Sequence, residues 1–257
     1  MIELEKLTAG GAFGRCCGFA NVVQVRTVDS TNLLARRILD ARKGDGACPK
    51  MAIVAWEQTA GRGRQGRSWV STGGMGIYVT VVRPVLAAEL QTLPLLVPVG
   101  LARAIRALGC RVGLKWPNDL LVAGKKLGGI LIETVGGAAG EVVAIIGFGI
   151  NHGQSSSELP LATATSLRHE LGKPPNIATV SAFLLRELDR ELEHLGDTEY
   201  ARDAYEKLSV HSLGDHLSCR IGGRGIEGTF LGFDVHGFLR LDVGGTEQIL
   251  PAAEVVE

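Results

Sequence analysis

The sequence predicts an α+β fold in which a mixed β-sheet is flanked by helices and followed by a small β-barrel. Three observations predict it: short apolar runs rich in β-branched residues, amphipathic segments with helical spacing, and a glycine-punctuated alternation without helical pattern over residues 213–257. With 257 residues and 46% hydrophobic content, the chain can build one large and one small domain. We place the boundary so that residues 1–212 form the first domain and residues 213–257 the second.

Composition argues against several classes of protein. Lys and Arg total 27, as do Asp and Glu, so the chain lacks the net positive charge that attracts nucleic acid or anionic membrane non-specifically. The five cysteines have no Cys-x-x-Cys or Cys/His spacing, which argues against a disulfide framework or a zinc site. The N-terminus has no apolar signal region, and no run of about 18 apolar residues occurs. We therefore expect reduced thiols, no membrane insertion and a cytoplasmic location.

The first helix is predicted from the segment DSTNLLARRILDARKG. Residues 29–31 are typical N-cap residues, Leu34, Ile38 and Ala41 follow at helical spacing, and Gly44 ends the pattern. The polar start of this helix is also a candidate binding site.

Two strands are predicted on either side of an arginine-rich segment. They are MAIVAWEQ, residues 51–58, and GIYVTVVRP, residues 76–84, both short, apolar and β-branched. The later segment LPLLVPVGLARAIRALG predicts a helix of about three turns from Pro98 to Gly109, because its prolines are confined to the first part.

The middle of the chain predicts further strands. RVGLKWPNDLLVAGKKLGGILIETV predicts a strand, a tight turn at residues 117–119, and a hairpin that turns at residues 123–126. EVVAIIGFGIN, residues 141–151, predicts a buried strand. Apolar spacing then predicts an amphipathic helix over residues 177–196 that covers one side of the sheet, and a shorter helix at residues 200–208.

The segment between the first two strands has an unusual composition. Residues 61–67, GRGRQGR, contain three arginines, one glutamine and three glycines, with no acidic or apolar residue. Such a segment buries too little apolar surface to offset its ordering entropy, so we expect it to stay loose until an anion organises it. The guanidinium groups of Arg62, Arg64 and Arg67 suit a carboxylate or a phosphate. A solvated surface loop or an RNA-binding arginine patch would have the same composition.

Two further segments carry candidate site residues. KWPND, residues 115–119, is followed by a hairpin that brings back Lys125 and Lys126 beside two glycines, so that an ammonium and a bare backbone can face the same anion. GFGIN, residues 147–151, ends an apolar strand, where ligands often bind in such sheets. Ordinary structural explanations exist for each: Trp116 in the core, a Pro-Asn-Asp turn, solvated lysines and a glycine-rich strand exit.

Taken together, these motifs resemble those of the biotin protein ligases. They occur in the order DSTN at 29–32, Gln58 with GRGRQGR at 61–67, KWPND at 115–119, KLGG at 126–129 and GFGIN at 147–151. A weaker likeness extends to ATSL at 164–167 and to the C-terminal β segment. The resemblance implies a class II synthetase-like catalytic domain of the biotin/lipoyl ligase type, followed by an SH3-like β-barrel. It also implies a reaction in which biotin and Mg-ATP give biotinyl-5′-AMP and pyrophosphate, after which a lysine on a biotin carboxyl carrier domain takes the biotinyl group.

The resemblance also implies roles for residues that match in type. The biotin carboxylate and the α-phosphate repel each other, so fixed cations must hold them together, and Lys126, Arg62 and Arg64 are the candidate catalytic residues. Biotin is the implied substrate, with ATP and Mg²⁺ as co-substrate and ion; Mg²⁺ binds mainly through the phosphates, without a dedicated protein metal site. The candidates for binding biotin are Ser30, Thr31, Asn32, Gln58, Gly61, Arg62, Gly63, Arg64, Lys126 and Gly129. The candidates for binding the nucleotide are Arg62, Arg64, Arg67, Trp69, Lys115, Asn118, Asp119, Lys126 and Asn151, with Trp69 packed against the adenine.

Two features depart from the family pattern. Many relatives begin with a winged helix-turn-helix that binds an operator, but the 28 residues before Asp29 are rich in glycine and lack three helical segments, so we expect no DNA binding. His152 follows GFGIN where an apolar residue is more usual, and we interpret it as part of a surface turn.

Two other functions stay open at this point. A lipoate or octanoate ligase or transferase shares the fold and the acyl-to-lysine chemistry, although the complete arginine segment and KWPND favour biotin. A nucleic-acid-binding module would use the arginine segment and the barrel, but the zero net charge and the lack of aromatic residues in 61–67 count against it. A homodimer could form through exposed strand edges near Arg83 and the hairpin at 121–132.

Overall fold

Two β-sheets and five α-helices make up the described part of the computed structural model, which covers residues 19, 21–42, 48, 50–136 and 142–256. The strands β1 to β12 are Asn21–Val28, Met51–Gln58, Gly76–Val85, Gly113–Lys115, Asp119–Val122, Lys125–Gly136, Val142–Asn151, His216–Ile221, Arg224–Phe233, Leu239–Val243, Thr246–Leu250 and Glu254–Val256. The helices α1 to α5 are Thr31–Ala41, Leu93–Ala107, Leu167–Leu171, Ile177–Glu191 and Thr198–Glu206. Short 3₁₀ segments occur at Arg64–Gly66, Ala87–Thr92 and Leu192–His194.

The larger sheet is mixed. Its strand order is β1-β2-β3-β7-β6-β5-β4, with β1 parallel to β2 and every other neighbouring pair antiparallel. The central strands β3 and β7 are buried along most of their length, which explains why both are continuous apolar runs. The predicted mixed sheet with flanking helices is confirmed.

Helices lie on both faces of this sheet. On one face α1 packs against β2, β3 and β7 and buries Leu34 and Ala35. On the other face lies α2, with α4 packed against it. A Cβ at Gly100 would be only 3.1 Å from the Leu188 Cα, so the missing side chain lets the two helices approach closely. The helix α4 is amphipathic as predicted, but it contacts mainly α2 rather than the sheet itself.

Helix α2 begins earlier than the sequence predicted. It starts at Leu93, not after Pro98, and continues to Ala107. Pro94 lies in the first turn, where a missing N–H costs no hydrogen bond, and Pro98 removes only the bond to the Pro94 carbonyl. The predicted start is therefore wrong, because one lost bond near the N-terminus does not end a helix whose side chains are buried in the core.

The strand edges proposed for a homodimer lie on β3, β5 and β6, which are inner strands of the larger sheet. Arg83 lies on β3 just beyond Val82, the last residue that pairs with β2, so among the described pairings it has only Ala144 of β7 as its partner. In the hairpin at 121–132, β5 pairs with β4 and β6, whereas Leu131 and Ile132 on β6 pair with β7 only. The edge strands are β1 and β4, and the backbone of Leu114 on β4 bonds in addition to Leu208 and Val210. Pairing of these stretches in a homodimer stays a prediction.

The C-terminal residues form a second, antiparallel sheet of order β11-β10-β9-β8-β12. Among the pairings between described residues, its edge strands β11 and β12 do not bond to each other, so closure into an SH3-like barrel stays a prediction. Phe230 and Phe233 join the same core as α2, and the Trp116 indole N–H donates to the Gly237 carbonyl at 3.1 Å. The boundary between residues 212 and 213 stays a prediction as well.

Some predictions fall outside the described residues. The absence of a winged helix-turn-helix, the state of Cys16 and Cys17, and the helix end at Gly44 concern residues 1–18 and 43–47, and they stay predictions. Within the described ranges, every helix is too short or too polar to span a bilayer.

Candidate active site

A pocket of about 500 Å³ is lined by residues from all five sequence motifs. Every candidate site residue except Gly61 lines it. Five cationic side chains, at positions 62, 64, 67, 115 and 126, face two carboxylates, Asp119 and Glu254. The pocket therefore favours an anionic ligand, and its size suits a small molecule.

One end of the pocket carries neutral hydrogen-bonding groups. Ser30 and Thr31 are buried at the N-terminus of α1. The Thr31 backbone N–H and hydroxyl donate to Gln58 Oε1 at 2.9 and 3.2 Å, and Gln58 Nε2 donates to Ser71 Oγ at 2.9 Å. A Cβ at Gly61 would come within 2.8 Å of Ser71 Oγ, so this glycine lets the chain close over the end of β2.

Asn32 is buried beside this group, and its polar atoms have partners inside the protein. Its Oδ1 accepts from Thr80 Oγ1 at 2.6 Å, and its Nδ2 donates to Glu133 Oε2 at 2.9 Å and to the Leu131 carbonyl at 3.4 Å. The carboxamide fits because Gly147 has no side chain: a Cβ there would be 2.9 Å from Asn32 Cγ. Both amide donors of Asn32 are thus used within the protein, and a role in binding biotin stays a proposal.

Two arginines of the loop pair with carboxylates from distant parts of the chain. Arg62 Nη1 lies 3.3 Å from Glu133 Oε1, and Arg67 Nη1 lies 2.7 Å from Glu254 Oε1 on β12. The loop itself closes through a bond from the Gly63 N–H to the Arg67 carbonyl at 2.6 Å. The loop that we expected to stay loose until an anion arrives therefore has acidic partners within the protein.

The sequence motifs did not include Glu133 or Glu254. Period-2 alternation along β6 puts Glu133 on the same face as Gly129 and Leu131, and this signal was available in the sequence. Glu254 lies 187 residues from Arg67, and nothing local in the sequence points to it.

The other end of the pocket is cationic. Lys126 Nζ lies 2.7 Å from Asp119 Oδ1, and Arg64 Nη1 donates to Asn118 Oδ1 at 3.3 Å. Asn118 is itself fixed, because its Nδ2 donates to the Ile130 carbonyl at 3.1 Å. Burial lowers the pKa of Arg64, while the charge of Asp119 acts in the opposite direction, and a guanidinium so basic stays protonated. Arg64 and Lys126 thus both contact residues of the KWPND turn, and their action on substrate anions stays a prediction.

Trp69 lies between these two ends, over a pair of glycines. Gly129 on β6 and Gly149 on β7 are direct partners in the sheet. A Cβ at Gly149 would be 2.5 Å from the Trp69 Nε1, and one at Gly129 would be 3.3 Å from the ring. The Trp69 indole N–H is buried without a hydrogen-bond partner among the described residues, and Lys126 Nζ is 5.8 Å from the ring centroid. The two glycines form a flat seat for the indole.

Three more candidates have mixed outcomes. Lys115, at the end of β4, and Asn151, at the end of β7, both line the pocket. The Asn151 Nδ2 donates to the Thr165 carbonyl at 2.9 Å, so it ties β7 to the following loop. Trp116 is 4% exposed and belongs to the core, in agreement with its ordinary structural explanation.

His152 is not part of a surface turn. It is 7% exposed, and its Nε2 lies 2.9 Å from the Pro175 carbonyl. Burial lowers the pKa of His152, and this hydrogen bond acts in the opposite direction. Our interpretation of His152 was wrong, because the segment around Pro175 packs over the position and buries the ring.

Metal-binding side chains do not cluster in the described ranges. No group of three or more His, Cys, Asp or Glu side chains within them is placed to hold a metal ion.

Comparison with known proteins agrees with this geometry. The model of the biotin/lipoate A/B protein ligase family matches residues 27–151, the part of the chain that contains all five motifs. The biotin–(acetyl-CoA-carboxylase) ligase of Mycobacterium tuberculosis is 32% identical, with 95% of this chain and 91% of that protein covered. The bifunctional ligase/repressor BirA of Escherichia coli is 31% identical, with 94% and 75% covered. The solved biotin protein ligase from Aquifex aeolicus in complex with biotin and ATP has a TM-score of 0.73 at 27% identity, with 93% and 98% covered. The chain therefore belongs to the biotin protein ligases.

Proposed function

We propose that this protein uses ATP to attach biotin to a lysine of a biotin carboxyl carrier domain, through biotinyl-5′-AMP. One observation carries the proposal: a single pocket joins a neutral, hydrogen-bonding end at Thr31 and Gln58 to a cationic end at Arg64 and Lys126. Biotin has this polarity, because its uncharged ureido ring is separated from its carboxylate by an apolar chain.

The neutral end suits the biotin ring. A ureido group offers a carbonyl acceptor and two N–H donors, so it needs a few directed hydrogen bonds in a largely apolar pocket. Thr31 and Gln58 supply hydroxyl and carboxamide groups that neighbouring hydrogen bonds already orient, and Ser30 supplies a further buried hydroxyl. Asn32, Gly61 and Gly63 shape the surroundings of these groups.

The cationic end suits the first chemical step. An oxygen of the biotin carboxylate attacks the α-phosphorus of ATP, a new P–O bond forms, and the bond to pyrophosphate breaks. Two anions must come within bonding distance, and Arg64 and Lys126 would offset their repulsion where charge gathers in the transition state. Lys126 would exchange Asp119 for a phosphate oxygen.

The nucleotide would lie across Trp69 toward Asn118 and Asn151. A flat indole on a glycine seat offers a stacking surface for adenine. Mg²⁺ fits this pocket as an ion carried by the phosphates of ATP, because the lining offers two carboxylates and no closed set of ligands. Asp119 is the carboxylate at the cationic end that would contact it.

In the second step, the amine of the carrier lysine attacks the acyl carbon of biotinyl-5′-AMP, an amide bond forms, and AMP leaves. A lipoate ligase remains the second candidate, because the matching family model includes lipoate ligases. The named relatives are biotin ligases, which favours biotin.

The test measures pyrophosphate release with purified protein, ATP, Mg²⁺ and a biotin carboxyl carrier domain. We expect pyrophosphate release that depends on biotin, together with biotinylation of the carrier lysine. The control replaces biotin with lipoate. Release with lipoate and none with biotin would replace this proposal with the lipoate reaction.

A further inference from the structure

We infer that Glu133 is a positioning residue that anchors the arginine loop through Arg62, and that the Arg62 side chain therefore serves loop placement rather than the reacting anions. The inference rests on the proposed function. It changes the role of one predicted catalytic residue and adds Glu133, which no motif contained.

The first observation is where the Arg62 guanidinium lies. The Arg62 guanidinium contacts Glu133. Lys126 Nζ lies next to Gly129, because a Cβ added at Gly129 would be 3.6 Å from Lys126 Nζ. Glu133 is four residues further along β6, which corresponds to about 13 Å of strand. Arg62 is thus held near the neutral end of the pocket, away from the place where Arg64 and Lys126 meet.

The second observation is the network around Glu133. Its side chain is 15% exposed, and its two oxygens accept from Asn32 and from Arg36, both on α1, and from Arg62. One carboxylate therefore joins β6, the polar start of α1 and the base of the loop. Burial alone would raise the pKa of Glu133, but the hydrogen bond from Asn32 and the charges of Arg62 and Arg36 outweigh burial and hold this pKa below its ordinary value.

The third observation is the backbone at Arg62. Arg62 and Ser68 form an isolated antiparallel bridge, and the Trp69 N–H donates to the Gly61 carbonyl at 2.8 Å, so residues 61 and 62 form the base of the loop. An anchor at this base fixes where the Gly63 backbone and the Arg64 side chain enter the pocket. The pairing with Glu133, which Arg36 shares, also reduces the attraction that Arg62 exerts on a ligand anion.

A double-substitution cycle separates an anchor from a catalytic cation. The variants are Glu133→Gln, Arg62→Gln and the pair together, with biotin affinity measured by calorimetry and adenylation by pyrophosphate exchange at saturating biotin and ATP. Glutamine preserves the side-chain shape and can still accept from Asn32. The control is the exposed pair of Arg240 and Glu247, 2.7 Å apart on the C-terminal sheet, changed to glutamines in the same way. Thermal unfolding of each variant identifies any that does not fold.

If Glu133 and Arg62 form an anchor, each single change weakens biotin binding about fivefold and the double change costs no more than either alone. The rate at saturation changes less than about threefold in all three variants, because Arg64 and Lys126 are retained. Biotin plus ATP would protect the loop from trypsin at Arg64 less well than in the unchanged protein. The Arg240 and Glu247 variants behave as the unchanged protein.

A direct role of Arg62 in catalysis gives a different result. If Arg62→Gln lowers the rate at saturation about 100-fold while Glu133→Gln leaves both rate and affinity unchanged, Arg62 acts directly on the anions and the inference is wrong. Additive losses in the double variant would also overturn it. If Glu133→Gln fails to fold, Arg62→Gln alone decides between the two roles: an anchor lowers the biotin affinity, and a catalytic cation lowers the rate at saturation. An unchanged protein that neither binds biotin nor exchanges pyrophosphate would instead overturn the proposed function.

Discussion

The two glycines under Trp69 give the most specific prediction, because the distances from each added Cβ set the expected order of the effects. A Cβ at Gly149 would be 2.5 Å from the indole Nε1, whereas ordinary contacts between such atoms need about 3.5 to 4.0 Å. Gly149→Ala must therefore displace the ring by about 1 Å or more. Overpacking of this kind costs about 1–3 kcal/mol, and part of that cost appears as a poorer stacking surface.

We expect Gly149→Ala to raise the KM for ATP about tenfold, equivalent to about 1.4 kcal/mol, with little change in biotin affinity. Gly129→Ala requires a shift of only a few tenths of an ångström, because its Cβ would lie 3.3 Å from the ring, so its effect stays below about threefold. Gly225→Ala on β9 is the control, since nothing lies within 4 Å of the added methyl group.

The assay is pyrophosphate exchange at varied ATP with saturating biotin, together with thermal unfolding of each variant. The order of effects should be Gly149→Ala, then Gly129→Ala, then Gly225→Ala. If Gly149→Ala folds normally and its KM for ATP matches that of Gly225→Ala, Trp69 does not form the adenine surface and the assignment is refuted.

Three other predictions follow from the same pocket and from its surroundings. Lys126→Ala should slow adenylate formation about 100-fold while weakening biotin binding less than about threefold; equal losses in pyrophosphate exchange and calorimetry would contradict its role. Biotin plus ATP should protect Arg64 and Arg67 from trypsin, because an anion then holds the loop, and unchanged cleavage would count against this ordering. The pKa of His152 is lowered in the folded protein, so protonation of its ring favours the unfolded state. The contribution of His152 to the free energy of unfolding is therefore fully present above the ordinary pKa of 6.5 and is lost as the pH falls below that value. Denaturant unfolding at pH 7.5 and 5.5 should show a smaller pH dependence for His152→Gln than for the unchanged protein.

Much of the fold could be predicted because its strands have a recognisable local sequence pattern. The runs at β2, β3 and β7 are apolar and β-branched, and the turn between β5 and β6 consists of Ala123 and Gly124, both at positive φ. The start of α2 was missed because its two prolines were taken to precede the helix, whereas burial of the side chains decided the outcome here.

In the candidate site, too, some residues could be identified from the local sequence and others only from the packing. Residues that act through their own chemistry, such as Arg64 and Lys126, stand out in the sequence as motifs. Glu133 does not, because its importance comes from Asn32, 101 residues away, and from Arg62, 71 residues away. Gly147 and Gly149 were recognised as a pattern, but the reason for them, close contact with Asn32 and with Trp69, depends on packing that no local sequence reveals.

The antiparallel pair β6 and β7 explains how one pocket can have two chemically different ends. Along β6, Lys126 and Gly129 lie at the cationic end, and Glu133, which contacts Asn32 and Arg62, lies toward the neutral end. Along β7, Gly149 and Gly147 remove side chains beneath Trp69 and beneath Asn32. Because a strand is stiff over this length, the distance between ring recognition and anion activation is fixed by the sheet and not by the loop. A ligand with a shorter or longer chain between its ring and its carboxylate would therefore bind at one end and miss the other.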